Sequence, residues 1–452
     1  MREEVFVMPA DTGTTEQPVR PSSDVFPSNG ATDSMIAPSR TGREHVHDVE
    51  HPVATYVDGT RRIRPRAPRS TFLAFSPPMI GEEEISAVVD TLRSDWLTTG
   101  PKTRAFEDEF AAYLGASGAL ALNSCTAGLH TALAALGIGA GDEVITTPLT
   151  FAASVNVIEH VGATPVLADV EPDTLCIDPE LVARAITPRT RAIIPVHYAG
   201  HPVELDAIRA IAEMHGLDVI EDAAHALPGK YKGVPIGQGE NPVAFSFYAT
   251  KNLTTAEGGM LTGSRDFLER ARPVSLHGMT KDALRRYEKG GHWSYDVVYP
   301  GFKYNMTDIQ ASLGLCQLRK LESFQRRRRQ VVAAYHSAFA DDPALEIPTE
   351  RPHVEHAWHL YVLRLRRGAL RISRDRFIEE LKDRNIGTSV HFIPIHMLGY
   401  YRRKFRSTTL RLPVAQDNFE RMISLPLNPR LTDTDVNDVI DAVMDVVRTH
   451  RR

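Results

Sequence analysis

Three polar residues follow runs of apolar residues that are typical of buried strands. In VIEDAAHA (219–226), Asp222 and His225 come after such a run, and in SFYATKN, Lys251 follows a run that begins at Val243. Ligands bind beyond the carboxyl ends of strands in open α/β sheets, so these positions suit a binding site. Each residue also has a structural interpretation: the lysine extends to solvent, the aspartate caps a turn, and the histidine satisfies a loop carbonyl. The alternative for Lys251 is a covalent Schiff base with an aldehyde.

Two more segments contain residues suited to a flat, phosphorylated ligand. In NSCTAGLHTAL (123–133), a strand ends, a turn of small residues follows, and a helix is predicted to start at Thr126. Free N–H groups at that helix N-terminus and the Thr126 hydroxyl would bind a phosphate, although a hydroxyl residue at this point is commonly only an N-cap. In TPLTFAASVN, Phe151 is either a core residue or a platform that stacks on a heteroaromatic ring.

The four features together match the requirements of pyridoxal 5′-phosphate. Its aldehyde needs a lysine with a lowered pKa, and its pyridine nitrogen needs a carboxylate that keeps it protonated. Its phosphate and its ring need a cradle and a platform. Asp222 and Lys251 are 251 − 222 = 29 residues apart, which places them on or after neighbouring strands of one sheet. We therefore predict a pyridoxal phosphate site that needs no metal.

The elements that must position these residues alternate between strand-like and helix-like segments. Short apolar runs begin at Ala119 and recur as far as Gly258, and amphipathic segments such as ELDAIRAIAEMHG separate most of them. This alternation predicts an α/β protein with a mainly parallel sheet covered on both faces. From about residue 307 a long helical stretch leads to a smaller unit. We predict a large domain over 71–315, with two helices at its start, and a small domain over 316–452 that includes the long connecting helix.

The first 70 residues differ in composition from the rest of the chain. Residues 1–70 are rich in Pro, Ser, Thr, Asp and Arg without helical or strand periodicity, which predicts a disordered tail. HVHDVEH (45–51) invites a metal interpretation, but nothing there would fix the ligand geometry, so a solvated tail is preferred. The arginines from Arg61 to Arg69 are a weaker candidate for binding an acidic partner. The four arginines 326–329 in the long helix are predicted to be a solvated face.

The overall composition argues against several classes of protein. The net charge is −5 with both signs interspersed, so nothing points to a nucleic acid or a membrane surface. The three cysteines, Cys125, Cys176 and Cys316, have no CxxC spacing, which argues against disulfides or a zinc site and suits a reducing compartment. No apolar run is long enough to span a bilayer. We expect a soluble, cytoplasmic protein.

Several longer motifs resemble those of the DegT/DnrJ-type sugar aminotransferases. They are EDAAHA, FSFYATKNLTTAEGGM, GFKYNMTDIQASLGLCQL, LTTGPKTRAFEDEF, HYAGHPVELDAI, VHFIPIH and SLPLNPRLTDTDV. The resemblance runs from about Phe75 to the C-terminus. It implies fold-type I of the pyridoxal phosphate enzymes, in which a large domain with a mainly parallel, seven-stranded sheet precedes a smaller α/β domain. It also implies a homodimer whose active sites are each built from both subunits.

The resemblance implies a role for each candidate residue. Lys251 would form the Schiff base and transfer the proton, Asp222 would pair with the pyridinium nitrogen, and His225 would lie beside the cofactor. Phe151 would stack on the cofactor ring. Groups from several segments would hold the cofactor phosphate, and these are Thr126, the Ala127 N–H, Ser246 and, from the neighbouring subunit, Asn305.

The resemblance also indicates the reaction, because a sugar-dehydrating branch of the family has histidine where this chain has Lys251. It implies ping-pong transfer of an amino group from glutamate to a nucleotide-linked keto sugar, with release of 2-oxoglutarate. GFKYNMTD and HYAGHPVELDAI look closest to enzymes that aminate a UDP-4-keto-pentose to UDP-4-amino-4-deoxy-L-arabinose, and a dTDP-linked keto-deoxyhexose is the alternative substrate. His391 and His396 are either substrate contacts or structural residues. A desulfurase would need a reactive cysteine, for which Cys125 is poorly placed, and a non-catalytic regulator would have lost Lys251 or Asp222.

Overall fold

The computed structural model of the chain describes residues 69–279, 294–405 and 410–452. Ile63–Arg452 forms one compact unit. HVHDVEH and all but the last of the arginines from Arg61 to Arg69 lie outside the described residues. Within the described residues, no helix is long and apolar enough to cross a membrane.

The chain already makes specific contacts at Arg69, although its composition predicts that this residue belongs to a disordered tail. The Arg69 guanidinium forms ion pairs with Asp435 (2.7 Å) and Asp438 (2.6 Å), near the C-terminus. Four residues later, Leu73 forms a parallel β-bridge with Ile386. The two ion pairs and the bridge provide the contacts that a disordered tail lacks, so the packed part of the chain includes Arg69 and the residue after it.

Two helices precede the sheet, as the sequence predicts: α1 (Glu82–Arg93) and α2 (Pro101–Leu114). The first turn of α2 is capped from far along the chain. The Asp308 carboxylate accepts hydrogen bonds from the N–H groups of Gly100 (2.8 Å), Lys102 (3.0 Å) and Thr103 (2.9 Å). These N–H groups have no partner within the helix, so Asp308 fixes the position at which α2 begins.

Within the part of the chain that the structure describes, seven strands form the central sheet, six of them parallel. They are β1 (Ala119–Leu122), β2 (Glu143–Thr146), β3 (Thr164–Leu167), β4 (Thr190–Ile194), β5 (Asp218–Val219 continued by Glu221–Asp222), β6 (Val243–Ser246) and β7 (Gly259–Thr262). The strand order is 3-2-4-5-6-7-1, and β7 runs antiparallel to both of its neighbours. The two parts of β5 are one strand, because the Ile220 N–H bonds to the carbonyl of Ile193, within β4, and the Asp222 N–H bonds to that of Pro195, just after β4. The prediction of a mainly parallel, seven-stranded sheet is confirmed.

Helices cover both faces of the sheet and leave its strands largely buried. They are α3 (Cys125–Ala135), α4 (Ala153–His160), α5 (Pro179–Ala185), α6 (Leu205–His215) and α7 (Arg265–Ser275). One core cluster joins α3, α4 and α7 to one face, and another joins α2, α5 and α6 to the opposite face. Successive strand residues alternate between the two clusters: Leu120 and Leu122 belong to one, and Ala119 and Ala121 to the other.

The C-terminal part of the chain has its own core. This part of the chain begins in the long helix α8 (Asp308–Phe339). Its other elements are β8 (Leu345–Glu346), β9 (Tyr361–Leu365), β10 (Met422–Leu425), α9 (Arg374–Asp383), α10 (Gly399–Lys404), α11 (Pro413–Phe419) and α12 (Asp433–His450). Its three strands form an antiparallel sheet in the order β8-β9-β10. In a separate antiparallel ladder, Lys230–Tyr231 pairs with Val354–Glu355 on one side and with Val234–Pro235 on the other. The proposed boundary between residues 315 and 316 lies inside α8 and remains a prediction.

One of the four arginines 326–329 is not on a solvated face. The Arg328 side chain is buried, and its guanidinium donates to the carbonyls of Leu427 (2.8 Å), Trp358 (3.2 Å) and His359 (3.4 Å). Burial lowers the pKa of Arg328 to about 9. The prediction is therefore wrong for Arg328, because helical rotation turns this position of α8 inward, between two parts of the chain that lie far apart in sequence.

Candidate active site

Lys251 lies in the turn that follows β6, where the sequence places it. Its backbone N–H donates to the Tyr248 carbonyl (2.9 Å), which closes the turn, and its side chain is mostly withdrawn from solvent. Burial lowers the pKa of the Lys251 ammonium to about 8, while the nearby Cys125 and Asp222 act in the opposite direction. Burial and the Asp222 charge raise the pKa of the Cys125 thiol well above its usual value, so that thiol is uncharged at neutral pH. Asp222 is therefore the opposing charge for Lys251.

Asp222 is the last residue of β5 and is only 4% exposed. Its Oδ1 accepts a hydrogen bond from the Ala224 N–H (3.0 Å), and its Oδ2 accepts one from the Ser154 hydroxyl (2.7 Å). The Cys125 thiol lies 3.9 Å from Oδ1 and 3.4 Å from the Ala244 carbonyl. These contacts hold the carboxylate in one orientation at the carboxyl end of the sheet.

Three aromatic rings, those of Phe151, Phe392 and His225, lie together, and His225 is three residues beyond Asp222. Phe151 is 64% exposed, and its ring centroid is 6.0 Å from that of Phe392. Phe392 in turn stacks on His225, with 5.8 Å between the ring centroids and 19° between the planes. The Nδ1 atom of buried His225 has no hydrogen-bond partner within the described ranges. Burial and, less strongly, Lys251 keep the pKa of His225 well below its usual value. Because the Phe151 side chain is largely exposed, it is not a core aromatic.

The predicted phosphate cradle is the N-terminus of α3. The helix begins at Cys125, one residue before the predicted start, and its N-cap is Ser124, whose hydroxyl accepts from the Ala127 N–H (3.0 Å). Thr126 lies in the first turn with its side chain partly exposed. At Gly259, a Cβ atom would lie 2.4 Å from the Ser124 carbonyl carbon, so only glycine lets β7 pass this close. The turn of small residues before the helix is present, but the Ala127 N–H predicted to bind the phosphate donates to Ser124 in this structure, so phosphate binding here stays a prediction.

Ser246 and Asn305 lie on the two sides of this cradle. Ser246 ends β6 opposite Gly259, and its hydroxyl accepts from the Tyr248 N–H (3.4 Å). Asn305 forms a β-bridge with Leu122, the last residue of β1, and its side chain donates to the Thr99 hydroxyl (2.7 Å). Asn305 is therefore close to the cradle of its own chain. Its predicted contact with the cofactor of a neighbouring subunit stays a prediction.

The structure separates the two candidate substrate histidines. The ring centroids of His391 and Phe392 are 5.0 Å apart, and the Nδ1 atom of His391 hydrogen-bonds with the Ser424 hydroxyl (2.8 Å). Burial and, less strongly, the charge of Lys251 lower the pKa of His391 to about 4. His396 belongs to a short 3-10 turn, Ile395–Met397, and the charge that acts on it is that of Asp169. Only His391 joins the group around Lys251.

Sequence reasoning missed several residues of this group. Ser154 binds Asp222, and Thr150 binds Ser154 (2.7 Å). His359 lies 4.4 Å from His225 between ring centroids, and its Nδ1 is 3.3 Å from the Asn252 side-chain oxygen. The pair of hydroxyl residues four positions apart in TPLTFAAS was the available signal for the first two. No signal in the sequence identified His359, because its position depends on the packing of the C-terminal part.

The chain is similar to several known proteins over most of its length. SpsC of Bacillus subtilis, a spore coat polysaccharide biosynthesis protein, is 51% identical over 382 residues, which are 84% of this chain and 98% of SpsC. The uncharacterized protein MJ1066 of Methanocaldococcus jannaschii is 52% identical over 384 residues, 85% of this chain and 100% of that protein. The sugar aminotransferase Spr1654 of Streptococcus pneumoniae, in its pyridoxamine phosphate form, superimposes with a TM-score of 0.78 at 39% identity, covering 83% of this chain and 99% of Spr1654.

The fold and the site together define a pyridoxal phosphate-dependent sugar aminotransferase of fold-type I. The chain belongs to the DegT/DnrJ/EryC1/StrS aminotransferase family, whose sequence profile matches residues 78–444. Spr1654 is known with both the pyridoxal and the pyridoxamine forms of the cofactor, in agreement with the predicted cofactor.

The residues present fit this cofactor. A pyridine ring needs an open aromatic face, a buried carboxylate for its nitrogen and an amine for its aldehyde, and Phe151, Asp222 and Lys251 meet these needs. The unpartnered Nδ1 of His225 provides a free polar group on the same side. Within residues 69–279, 294–405 and 410–452, no group of three or more His, Cys, Asp or Glu side chains is arranged to hold a metal ion.

Proposed function

We propose that this enzyme transfers the amino group of glutamate to the keto carbon of a nucleotide-linked sugar, a UDP-4-keto sugar in the first instance. The observation that carries the proposal is the pairing of Lys251, whose pKa is lowered to about 8, with the buried Asp222 carboxylate at the carboxyl end of the sheet. A lysine poised near neutral pH can act both as an amine and as a base.

We assign the residues of the site as follows. Lys251 Nζ carries the proton between the cofactor and the substrate carbon in both half-reactions, because its pKa lies close to the operating pH. Asp222 would face the ring nitrogen and balance its positive charge. Phe151 would pack on one face of the ring, and His225 would present its unpartnered Nδ1 beside it. The groups assigned to the phosphate are Thr126, the Ala127 N–H, Ser246 and Asn305 of the neighbouring subunit.

Pyridoxal phosphate, when bound, supplies the carbonyl that accepts the amino group and the ring that delocalises charge from the substrate carbon. The protein keeps the surroundings of Lys251 free of competing positive charge. His225, His359 and His391 all have lowered pKa values, chiefly because they are buried, so they are neutral near pH 7. Lys251 is therefore the group that exchanges protons in this part of the site, and the histidines hydrogen-bond without competing for them.

The proposal of a nucleotide-linked substrate rests on the motifs that resemble those of UDP-sugar enzymes and on the name of SpsC, which assigns that relative to polysaccharide biosynthesis. The test is a panel of UDP- and dTDP-linked 4-keto sugars incubated with glutamate, with 2-oxoglutarate release measured. We expect release with a UDP-linked 4-keto sugar and none in Lys251→Ala. Turnover only with a dTDP-linked keto-deoxyhexose would move the assignment to the alternative substrate. Turnover only with free keto sugars would refute the nucleotide requirement.

We further propose that the enzyme is a homodimer with shared active sites. Large apolar side chains remain exposed close to the site in the single chain, among them Phe151 (64%), Tyr248 (48%) and Ile393 (48%). A second copy of the chain would cover such a surface. The predicted contribution of Asn305 to the partner's site fits the same arrangement.

Complementation between inactive variants tests the shared site. If each site takes Lys251 from one chain and Asn305 from the other, a heterodimer of Lys251→Ala and Asn305→Ala chains has one site with both changes and one site with neither. Mixed and re-equilibrated variants should then regain about a quarter of wild-type activity by random pairing. If Asn305 serves its own chain, every site carries one change, and mixing restores nothing.

A further inference from the structure

Two buried hydroxyl groups form a chain of hydrogen bonds that ends on Asp222. Ser154 Oγ lies 2.7 Å from Asp222 Oδ2, and Thr150 Oγ1 lies 2.7 Å from Ser154 Oγ. All three side chains are nearly inaccessible, with Thr150 3%, Ser154 1% and Asp222 4% exposed. Thr150 and Ser154 are four residues apart across the start of α4, and Asp222 is 68 residues further on.

Proton counting fixes the direction of this chain. A serine hydroxyl has a single proton to donate, and an ionised carboxylate only accepts. Ser154 therefore donates to Asp222, and the short contact with Thr150 requires Thr150 to donate to Ser154. Thr150 then only donates, whereas Ser154 accepts from Thr150 and donates to Asp222, and Asp222 Oδ1 is bound separately by the Ala224 N–H (3.0 Å). The plane of the carboxylate is consequently defined by one donor on each oxygen.

We propose that Thr150 and Ser154 are positioning residues that orient the Asp222 carboxylate toward the ring nitrogen of the cofactor. This inference rests on the proposed role of Asp222. A hydroxyl that itself accepts a hydrogen bond is a stronger donor, so Thr150 acts on Asp222 only through Ser154. Phe151, the proposed platform for the ring, lies between the two hydroxyl residues in sequence. The same loop thus sets the position of the platform and the orientation of the carboxylate.

The experiment measures the ring nitrogen directly. Wild type and variants are loaded with ¹⁵N-labelled pyridoxal phosphate, and the ¹⁵N chemical shift reports how far the ring nitrogen is protonated. The variants are Ser154→Ala, Thr150→Val, which is isosteric but lacks the hydroxyl, and Thr150→Ser, which keeps it. The matched control is Thr146→Val, because Thr146 is equally buried and donates to the Ile194 carbonyl (2.8 Å) instead of Asp222. Thermal unfolding of the cofactor-free proteins confirms that each variant folds.

If Thr150 acts on Asp222 only through Ser154, the effects of the substitutions on the ¹⁵N shift should be graded and non-additive. Ser154→Ala should move the ¹⁵N shift toward that of the unprotonated ring and reduce kcat about tenfold, the effect of losing one hydrogen bond to a charged group, with a smaller change in KM. Thr150→Val should move the shift in the same direction by less, and Thr150→Ser should restore it. Adding Thr150→Val to Ser154→Ala should change nothing further. Thr146→Val should leave the shift at its wild-type value.

Asp222→Ala separates failure of this inference from failure of the assignment of Asp222. If Asp222→Ala leaves the ¹⁵N shift unchanged, Asp222 does not face the ring nitrogen, and both statements fall. If Asp222→Ala alters the shift but Ser154→Ala does not, only the positioning role of Thr150 and Ser154 is overturned. Equal effects of Thr150→Val in the presence and absence of the Ser154 hydroxyl would likewise show that Thr150 does not act through Ser154.

Discussion

The lowered pKa of Lys251 predicts how the cofactor-free protein reacts with pyridoxal phosphate as pH changes. Burial lowers this pKa to about 8 from the ordinary value of 10.5. At pH 7, about 9% of Lys251 side chains are then unprotonated, against about 0.03% for an ordinary lysine. Only the neutral amine attacks an aldehyde, so Lys251 should react about 300-fold faster at pH 7 than an exposed lysine of equal intrinsic nucleophilicity.

Stopped-flow absorbance follows this reaction. Cofactor-free wild type is mixed with pyridoxal phosphate between pH 6 and pH 10.5, and N-acetyl-lysine, titrated in parallel, corrects for ionisation of the cofactor. Lys251→Arg keeps the positive charge but forms no Schiff base, so it gives the background signal. We expect the corrected rate to rise to a plateau with its midpoint at about pH 8. A rate that continued to rise through pH 10 would refute the argument from burial.

Two further results follow from the same pKa. In Asp222→Asn the opposing charge is gone, so the ammonium is less favoured and the midpoint should fall below that of wild type. Between about pH 8 and 10.5 the unfolded chain keeps the Lys251 proton that the folded chain has lost. The free energy of unfolding of the cofactor-free protein should therefore rise across this window. Lys251→Met should remove that contribution, and an identical pH dependence in the variant would contradict it.

Three substitutions outside the site test contacts that hold the fold. Asp308→Ala leaves the N–H groups at the start of α2 without their acceptor, so it should lower the free energy of unfolding by about 2–4 kcal/mol in urea denaturation. Asp308→Asn should lower it by less. Equal stability of Asp308→Ala and wild type would show that Asp308 does not cap α2. Arg328→Lys should lower the free energy of unfolding by about 2–3 kcal/mol, because an ammonium does not reproduce the planar guanidinium that donates to three carbonyls. The control Arg326→Lys, on the exposed side of α8, should leave the stability unchanged. Arg69→Ala should cost about 1 kcal/mol at low salt and less in high salt, and a loss independent of salt would argue against the ion pairs.

The approach of Gly259 to the α3 cradle shows how far local patterns reach. The last of the apolar runs, which begins at Gly258, predicts a strand, and β7 does begin at Gly259. Glycine is needed because a Cβ atom at this position would lie only 2.4 Å from the carbonyl carbon of Ser124, in a segment 135 residues earlier. The short-range pattern thus identifies the residue, and long-range packing supplies the cause.

The errors have a common origin. The sequence assigns Arg328 to solvent because charge runs on helices usually face water, but its neighbours Trp358 and Leu427 come from other parts of the chain. It assigns Arg69 to a tail because the surrounding residues are polar, but Asp435 and Asp438 lie more than 360 residues away. Local composition does not contain the partner in either case.

The amino-acid sequence by itself determined the α/β class, the order of the elements and the positions of Asp222 and Lys251 at strand ends. These properties follow from hydrophobic periodicity and from the rule that ligands bind at the carboxyl edge of a sheet. Only the tertiary structure decided which groups surround them: the hydroxyls of Thr150 and Ser154 on Asp222, and the neutral histidines near Lys251. Those contacts join residues tens to hundreds of positions apart, and burial, which sets the charge of Lys251, exists only once the whole chain has packed.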